Sequence, residues 1–474
     1  MPSASRHLVA ALCAFAGSAL AQNGVPPQVA QALVAARIPQ ASVAISVQEA
    51  GSAVPVLRLN DGVAMNPASV MKLVTTYVAL ERLGPAYRWK TEAFLGGALR
   101  DGVLSGDLVL RGGGDPRLDL ESFWVLLRAL RAKGLREIRG DLVLDRSRFE
   151  RTAGDPARFD GDPFRPYNVL PDALLVNFRS LRFVFQPVPD AGGVRISVEP
   201  HPPALELVNV LRLSEGPCPE GRAFRELLAP TFEPAKRRAI FAGRFPASCG
   251  EKDLNVALLE PNDQVGGILR QLWSETGGSW AGIARDGAVA PDAAPFHVHE
   301  SRSLAELVRD INKLSNNVMA RHLFLTLGME AAGAPATPDK ATAAVRDWMR
   351  QKGLSAPELV MENGSGLSRS GRISAASMAA LLQAAWRSSV MPEFIASLPV
   401  AATDGTMRRR LKGEGVAGQA HIKTGLLSDT RAMAGYVLDR RGRRMVVVML
   451  VNHPGAHQAQ EALDALLRWV YERN

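Results

Sequence analysis

Cysteine is scarce in this chain, which has three cysteines among 474 residues. So few thiols cannot build the disulfide framework of a small secreted scaffold. The three are Cys13, Cys218 and Cys249, and the histidines lie away from them, so the spacing predicts no metal site. The fold must therefore rest on hydrophobic cores, which a hydrophobic content of 47% can supply.

Long apolar runs are also missing beyond the first residues. Residues 8–16 form an apolar stretch that follows a short basic start and is too short to span a bilayer. Ala19-Leu20-Ala21 comes next as a cleavage pattern. We therefore predict a signal peptide over residues 1–21 and a mature protein in the periplasm, with no transmembrane segment. A buried N-terminal helix is the alternative interpretation, and a peripheral association with a membrane stays open.

Removal of the signal peptide would leave Cys218 and Cys249 as an even pair in an oxidising compartment. This favours a disulfide between them, and two free buried thiols are the alternative. On the chain-entropy model, closing a loop of roughly 30 residues stabilises a fold by about 3–4 kcal/mol.

The charge balance is basic, with a formal net charge of +9. Such a charge suits polyanionic surroundings such as a cell wall. The arginine clusters at 408–410 and 440–444 are typical of solvated faces or turns. No nucleic-acid-binding module accompanies them, so we expect no nucleic-acid partner.

Hydrophobic periodicity divides the chain into three regions. Residues 22–88 predict two strands, at 43–47 and 54–59, followed by a helix over 69–83. Short alternating strands fill residues 89–262, where the string Gly-Asp-Leu-Val-Leu occurs twice, at 106–110 and 140–144. The last region predicts helices at 263–276, 301–313, 316–328, 338–352, 374–388 and 458–472, and strands at 419–423, 431–438 and 444–451.

These elements predict an α+β fold. Two strands near the start and three near the end can share one antiparallel five-stranded sheet flanked by helices, beside an all-helical subdomain. That main domain would comprise residues 22–88 and 263–474. Residues 89–262 would then be a large β-rich insertion, which we expect to form two subdomains.

Three short motifs carry the chemistry. Ser69 and Lys72 form an S-x-x-K motif at the start of the first helix, Ser315-Asn316-Asn317 lies between two helices, and Lys423-Thr424-Gly425 ends a strand. No second S-x-x-K, S-x-N or K-T-G occurs in the sequence. Each motif alone is weak, since a helix cap or a plain turn explains it, but the ordered set of three is specific.

Physical chemistry explains the first motif. Residues three apart share a helix face, so the Lys72 amine can reach the Ser69 hydroxyl. An alkyl hydroxyl is a poor nucleophile until a base takes its proton. Lys72 can be that base if burial and neighbouring positive charge lower its pKa.

The motif set resembles that of the serine penicillin-recognising superfamily, which includes β-lactamases and penicillin-binding proteins. The large insertion is similar to that of the class C low-molecular-mass penicillin-binding proteins, the D-alanyl-D-alanine carboxypeptidase/endopeptidase family. Four further segments resemble the same family: Gly113-Gly114-Asp115-Pro116, 363–369 (Asn-Gly-Ser-Gly-Leu-Ser-Arg), Asp404-Gly405-Thr406 and Ala434-Gly435-Tyr436-Val437. On residues alone, the glycines of these segments indicate only tight loops.

The resemblance implies a role for each motif residue. Ser69 is the nucleophile and Lys72 its base, Ser315 passes a proton to the leaving amine, and Asn317 holds the substrate amide. At two positions this sequence has Asn where the family often has Asp. They are Asn316 in the second motif and Asn363 in the 363–369 segment.

The third motif is expected to recognise the end of the substrate. Lys423 and Thr424 would bind a terminal carboxylate, and Gly425 would let the substrate approach the strand. The backbone N–H groups of Ser69 and Leu426 would form the oxyanion hole. Leu426 stands where the family often has a hydroxyl residue.

The expected function is a serine D-alanyl-D-alanine carboxypeptidase/endopeptidase that needs no cofactor. Its partners would be peptidoglycan stem peptides and cross-links, with β-lactams as covalent inhibitors. Two alternatives stay open: a β-lactamase or esterase on the same scaffold, and a noncatalytic peptidoglycan-binding protein.

Overall fold

The computed structural model describes residues 24–151, 154–188 and 192–473. The signal peptide predicted over residues 1–21 lies outside these ranges. Within them, none of the helices combines the length and the apolar character needed to cross a bilayer.

Helices and strands follow one another irregularly along the chain. The helices of the described residues are α1 Pro27–Ala35, α2 Lys72–Leu83, α3 Leu120–Ala132, α4 Gly221–Leu227, α5 Pro261–Glu275, α6 Leu304–Lys313, α7 Asn317–Ala332, α8 Pro338–Gln351, α9 Ala375–Trp386, α10 Met391–Ala396 and α11 Gln460–Glu472. The strands are β1 Val43–Glu49, β2 Pro55–Leu59, β3 Lys90–Arg100, β4 Val103–Arg111, β5 Glu137–Ile138, β6 Leu142–Asp145, β7 Leu181–Val188, β8 Gly193–Glu199, β9 Glu206–Asn209, β10 Arg212–Ser214, β11 Pro230–Glu233, β12 Arg238–Phe241, β13 Arg244–Pro246, β14 Lys252–Val256, β15 Ser279–Trp280, β16 Ala284–Asp286, β17 His297–Glu300, β18 Ala420–Leu427, β19 Thr430–Leu438 and β20 Arg444–Asn452.

The main sheet is antiparallel and joins the two ends of the chain in the order β18-β19-β20-β1-β2. Its central strand β20 is buried on both faces, because Val446, Val448 and Leu450 face one core while the alternate residues face another. The five-stranded sheet predicted from two early and three late strands is confirmed, and so is the α+β class.

Helices cover both faces of this sheet. Helices α1 and α11 pack on one face, and α2 packs on the other together with α6–α10. The side chains of residues 72–80 in α2 are all buried. A helix enclosed on every side explains why the segment reads as apolar almost throughout, and it places Lys72 in the protein interior.

The first lobe of the insertion is a mixed sheet covered by α3 and α5. The two Gly-Asp-Leu-Val-Leu strings form β4 and β6, which lie side by side in parallel with Leu108 opposite Leu142. Asp107 and Asp141 then both bind Arg285. The repeat therefore marks two neighbouring strands of one sheet.

Two features of the insertion differ from the sequence-based boundaries. Helix α5 was expected in the main domain, but Ile268, Leu272 and Trp273 pack in the core of the first lobe. Strands β15–β17 also join the first-lobe sheet, so on packing the insertion continues to about residue 300. The placement of α5 has a physical reason, since periodicity identifies a helix but does not show which sheet it covers.

Helix α3 lies in the insertion and was not predicted from the sequence.

The second lobe consists of small sheets around a core rich in phenylalanine. Cys218 and Cys249 form a disulfide there, with an S–S distance of 2.08 Å and a sequence separation of 31 residues. Cys249 lies in the lobe core and Cys218 packs against it, so the bond ties a long loop to that core.

Loss of this disulfide should destabilise the second lobe. We expect the Cys218→Ser/Cys249→Ser double variant to lose about 3–4 kcal/mol of unfolding free energy there, because a long loop is no longer closed in the unfolded chain. Hydrogen exchange resolved by peptide would measure this change. Faster exchange in residues 192–259 but not in α2 is the expected result, whereas unchanged protection of the lobe would contradict it.

Candidate active site

Ser69 lies in a single 3-10 turn, Ala68–Met71, immediately before α2. The structure thus begins the α-helix three residues after the predicted start. Ala68 has a left-handed backbone with φ of 47°. The Asn66 side chain accepts a hydrogen bond from the Ala68 N–H at 2.9 Å, while Asn452 accepts one from the Asn66 N–H at 2.7 Å. These bonds hold the turn against β20.

The Lys72 amine is fully buried and lies within hydrogen-bonding distance of three oxygen atoms. They are Ser69 Oγ at 2.9 Å, Asn317 Oδ1 at 2.6 Å and the backbone oxygen of Ser365 at 2.6 Å. The first distance is within proton-transfer reach. Lys72 therefore links the first motif, the second motif and the loop over residues 363–369.

The surroundings of Lys72 disfavour its charged form. Burial, followed by the positive charges of Lys423 and Arg321, holds the pKa of the Lys72 amine well below its usual value. No carboxylate forms an ion pair with this amine among the described residues. An amine in this state can accept the Ser69 proton.

The second motif lies at the junction of α6 and α7. Ser315 has a left-handed backbone with φ of 56°, which turns the chain between the two helices. Asn316 caps α7 by accepting a hydrogen bond from the Met319 N–H at 3.0 Å. Asn therefore performs the helix-capping role that Asp could also perform at this position. Asn317 is the first residue of α7 and reaches Lys72.

The third motif lies on β18 beside the second. The buried Lys423 amine donates to Ser315 Oγ at 2.8 Å and to the Thr424 backbone oxygen at 2.9 Å. Burial lowers the pKa of Lys423 to about 7. The Thr424 hydroxyl lies 2.8 Å from that of Thr406, so two hydroxyl groups stand together at this edge.

Gly425 permits β18 to approach the nucleophile turn. A Cβ at this position would lie 2.5 Å from the Pro67 backbone oxygen, closer than any carbon can come. Leu426 follows on the same edge strand, and its side chain is 56% exposed. The two proposed oxyanion donors, the N–H groups of Ser69 and Leu426, thus belong to two segments in direct contact.

Sequence reasoning assigned no role to three contributors to this site, although two of them lie in segments that resemble the family. The Ser365 carbonyl binds Lys72, Thr406 supports Thr424, and Arg321 adds positive charge near Lys72. The glycine at position 366 is the sequence signal that marks this loop. Only glycine fits there, because its φ is 75° and a Cβ would lie 1.8 Å from the Ala68 backbone oxygen. The string Asn-Gly-Ser-Gly marked a tight loop, but only the fold shows which residue the loop contacts.

Asn363 organises that loop without a charge. Its Oδ1 accepts hydrogen bonds from the backbone N–H and the hydroxyl of Ser365, and its Nδ2 donates to the Leu367 oxygen at 2.9 Å. An ionised Asp could not make the last bond. The departure from the family pattern therefore leaves the loop fully bonded.

The comparisons with known proteins agree with this geometry. The profile of the D-Ala-D-Ala carboxypeptidase 3 (S13) family matches residues 26–472. A D-alanyl-D-alanine carboxypeptidase from Actinomadura sp. (strain R39) is 30% identical over 412 residues, which cover 83% of this chain and 74% of the relative.

Solved structures show the same fold. Penicillin binding protein 4 (dacB) from Haemophilus influenzae superposes with a TM-score of 0.76 at 21% identity, covering 93% of this chain and 99% of that one. A second structure of that protein is complexed with a β-lactam. A predatory peptidoglycan endopeptidase from Bdellovibrio bacteriovorus superposes with a TM-score of 0.52 at 16% identity, covering 91% and 92% of the two chains.

The buried state of Lys423 has a measurable consequence for stability. Its pKa is about 7 in the folded chain and 10.5 in the reference state, so folding disfavours the charged amine. The contribution of Lys423 to stability is therefore greatest above pH 10.5, falls as the pH decreases towards 7 and stays level below it.

Lys423→Met should gain stability relative to the parent protein as the pH decreases. Between about pH 9.5 and about pH 7 we expect the difference in unfolding free energy to move by roughly 3 kcal/mol in favour of Met. Urea unfolding of both proteins across this range measures it. The exposed Lys412→Met serves as a control that should show no such trend. A difference independent of pH would contradict a buried Lys423 amine.

Proposed function

The chain belongs to the D-Ala-D-Ala carboxypeptidase 3 (S13) family, and we propose that Ser69 is the nucleophile with which it cleaves peptidoglycan peptides. Membership makes it a serine-type D-Ala-D-Ala carboxypeptidase. The observation that carries the assignment of Ser69 is its hydroxyl, 2.9 Å from a buried lysine amine with a lowered pKa.

The first step is proton transfer from Ser69 Oγ to the neutral Lys72 amine. Oγ then forms a bond to the carbonyl carbon of the scissile amide, and negative charge develops on the carbonyl oxygen. The backbone N–H groups of Ser69 and Leu426 would stabilise that charge. Gly425 supports this role, since it allows β18 and the Ser69 turn to touch.

The second step is expulsion of the leaving amine. The carbon–nitrogen bond breaks, and the amine must gain a proton. Ser315 is suited to deliver it, because its hydroxyl lies 2.8 Å from the Lys423 amine, whose pKa of about 7 permits exchange near neutrality. Water then attacks the acyl carbon, and its hydroxyl group leaves with the shortened peptide. The proton held on Lys72 returns to Ser69 Oγ, and the proton released by water replaces the one that the leaving amine took through Ser315.

The third motif supplies recognition of the substrate terminus. Lys423 is a cation when protonated, and the paired hydroxyls of Thr424 and Thr406 are donors for a carboxylate. Thr406 thereby provides a second hydroxyl at an edge where the Leu426 side chain offers none. Asn317, whose Oδ1 bonds to Lys72, would bind the substrate amide.

The same chemistry extends to cross-links and to β-lactams. A D-alanyl cross-link presents the same carbonyl with a larger leaving strand, so endopeptidase activity needs no further catalytic group. A β-lactam presents a strained amide to Ser69, and its ring keeps the leaving amine in place. We place this reaction at the cell wall, in the periplasm if the predicted signal peptide directs export.

A penicillin adduct on Ser69 tests the proposal. Intact-mass spectrometry should show one adduct on the parent protein and none on Ser69→Ala, because the acylated oxygen is gone. Ser274→Ala removes an exposed hydroxyl from α5 and should keep the adduct.

Two results would reject Ser69 as the nucleophile: absence of any adduct on the parent protein, or an undiminished adduct on Ser69→Ala. Rapid turnover of a chromogenic cephalosporin would instead favour the β-lactamase alternative. Retention of cross-linked muropeptides without cleavage would favour the noncatalytic one.

A further inference from the structure

A cleft of about 770 Å³ opens beside the second motif, between the second lobe of the insertion and the α6–α7 junction. We call it the insertion cleft, and its walls include Tyr167, Arg182, Glu199, Asn255, Leu314 and Ser315. From its position and chemistry we infer that it binds the leaving peptide strand of a cross-linked substrate. This inference rests on the function proposed above and extends it to the endopeptidase reaction.

The position of the cleft distinguishes the leaving strand from the retained one. Ser315 and Asn317 line it, and Ser315 is the group that would protonate the departing amine. A second cleft of about 730 Å³ has a separate lining that includes Arg321, Glu362 and Arg369, with no residue in common. A cross-link carries one peptide strand on each side of the scissile amide. The strand attached to the amine must lie where the proton donor is, which is the insertion cleft.

The wall opposite Ser315 is the polar face of a β-sheet. Arg182 on β7 lies directly between Glu199 on β8 and Asn255 on β14 in the strand register. Alternate residues of β7, such as Leu181 and Phe183, are buried in the lobe core. The row Asn255, Arg182 and Glu199 therefore faces the cleft as a set of hydrogen-bonding groups of both charges.

Arg182 is available to a ligand. Its only ion pair among the described residues is with Asp253 at 3.5 Å, and both side chains are about half exposed, at 53% and 44%. Arg165, also in the wall, is instead held by Asp162 at 2.9 Å. An exposed pair at this distance contributes little to stability, so Arg182 can exchange Asp253 for a substrate carboxylate at low cost.

Apolar side chains complete the cleft. Leu314, next to Ser315, is 67% exposed, and Tyr167 is 39% exposed. A stem peptide matches this mixture, since it has carboxylates for Arg182, an amine for Glu199, amides for Asn255 and methyl groups for Leu314. A single departing alanine would reach only the Ser315 end of the cleft. The lobe thus serves cleavage of cross-links more than trimming of the terminus.

Comparison of two substrates tests the inference. Cleavage of a cross-linked peptide dimer without glycan and of a monomeric pentapeptide should be measured for the parent protein and for Arg182→Gln. We expect the ratio of kcat/KM for dimer over pentapeptide to fall about tenfold, the loss of one charged hydrogen bond. The ratio is internal to each sample, so partial unfolding of the variant does not change it.

Two matched variants sharpen this experiment. Arg195→Gln removes an exposed arginine from β8 of the same sheet that does not line the cleft, and its ratio should equal that of the parent. Arg182→Lys keeps a positive charge and should recover most of the loss. An unchanged ratio for Arg182→Gln would overturn the inference.

A glycan-bearing dimer provides the last arm. If the ratio falls only when the glycan is present, the cleft binds sugar and the peptide assignment is wrong. Failure of the parent protein to cleave either substrate would refute the proposed function itself. Cleavage of both substrates, with equal losses in Arg182→Gln, would refute the insertion cleft alone.

Discussion

The interior location of one amine, that of Lys72, is the constraint on which the site depends. A buried ammonium without a carboxylate partner is costly, so burial and the nearby charges of Lys423 and Arg321 favour the neutral form. Three separate segments form hydrogen bonds with this amine: the Ser69 turn, the start of α7 and the 363–369 loop. The amine is thus both the proposed base and the point where the site is assembled.

The rest of the fold brings these segments together. Strands from both ends of the chain form one sheet, so β18 lies beside a turn more than 300 positions earlier in the chain. Gly425 and Gly366 allow two backbones to touch that turn where a side chain would clash. The large insertion leaves this core intact and, on our inference, extends the site to a second peptide strand.

Sequence periodicity predicted the main sheet and most main-domain helices, because buried strands and amphipathic helices have regular patterns. The three motifs were found separately, from their residue types, spacing and order. It could not assign α5 to the insertion, since a helix pattern does not name its partner sheet. Nor could it find Arg321 or the Ser365 carbonyl. Arg321 acts through charge at a distance, and a backbone oxygen carries no residue-specific signal. Both are visible only after folding has placed them near Lys72.

The ionisation of Lys72 tests the account most directly. Titration of lysine side chains by NMR, with the Lys72 signal assigned from a Lys72→Arg variant, measures its pKa in the resting protein. The account predicts that the Lys72 resonance titrates well below the pH at which ordinary lysines lose their proton. A Lys72 amine that stays protonated along with the exposed lysines would contradict it, whatever activity the protein has.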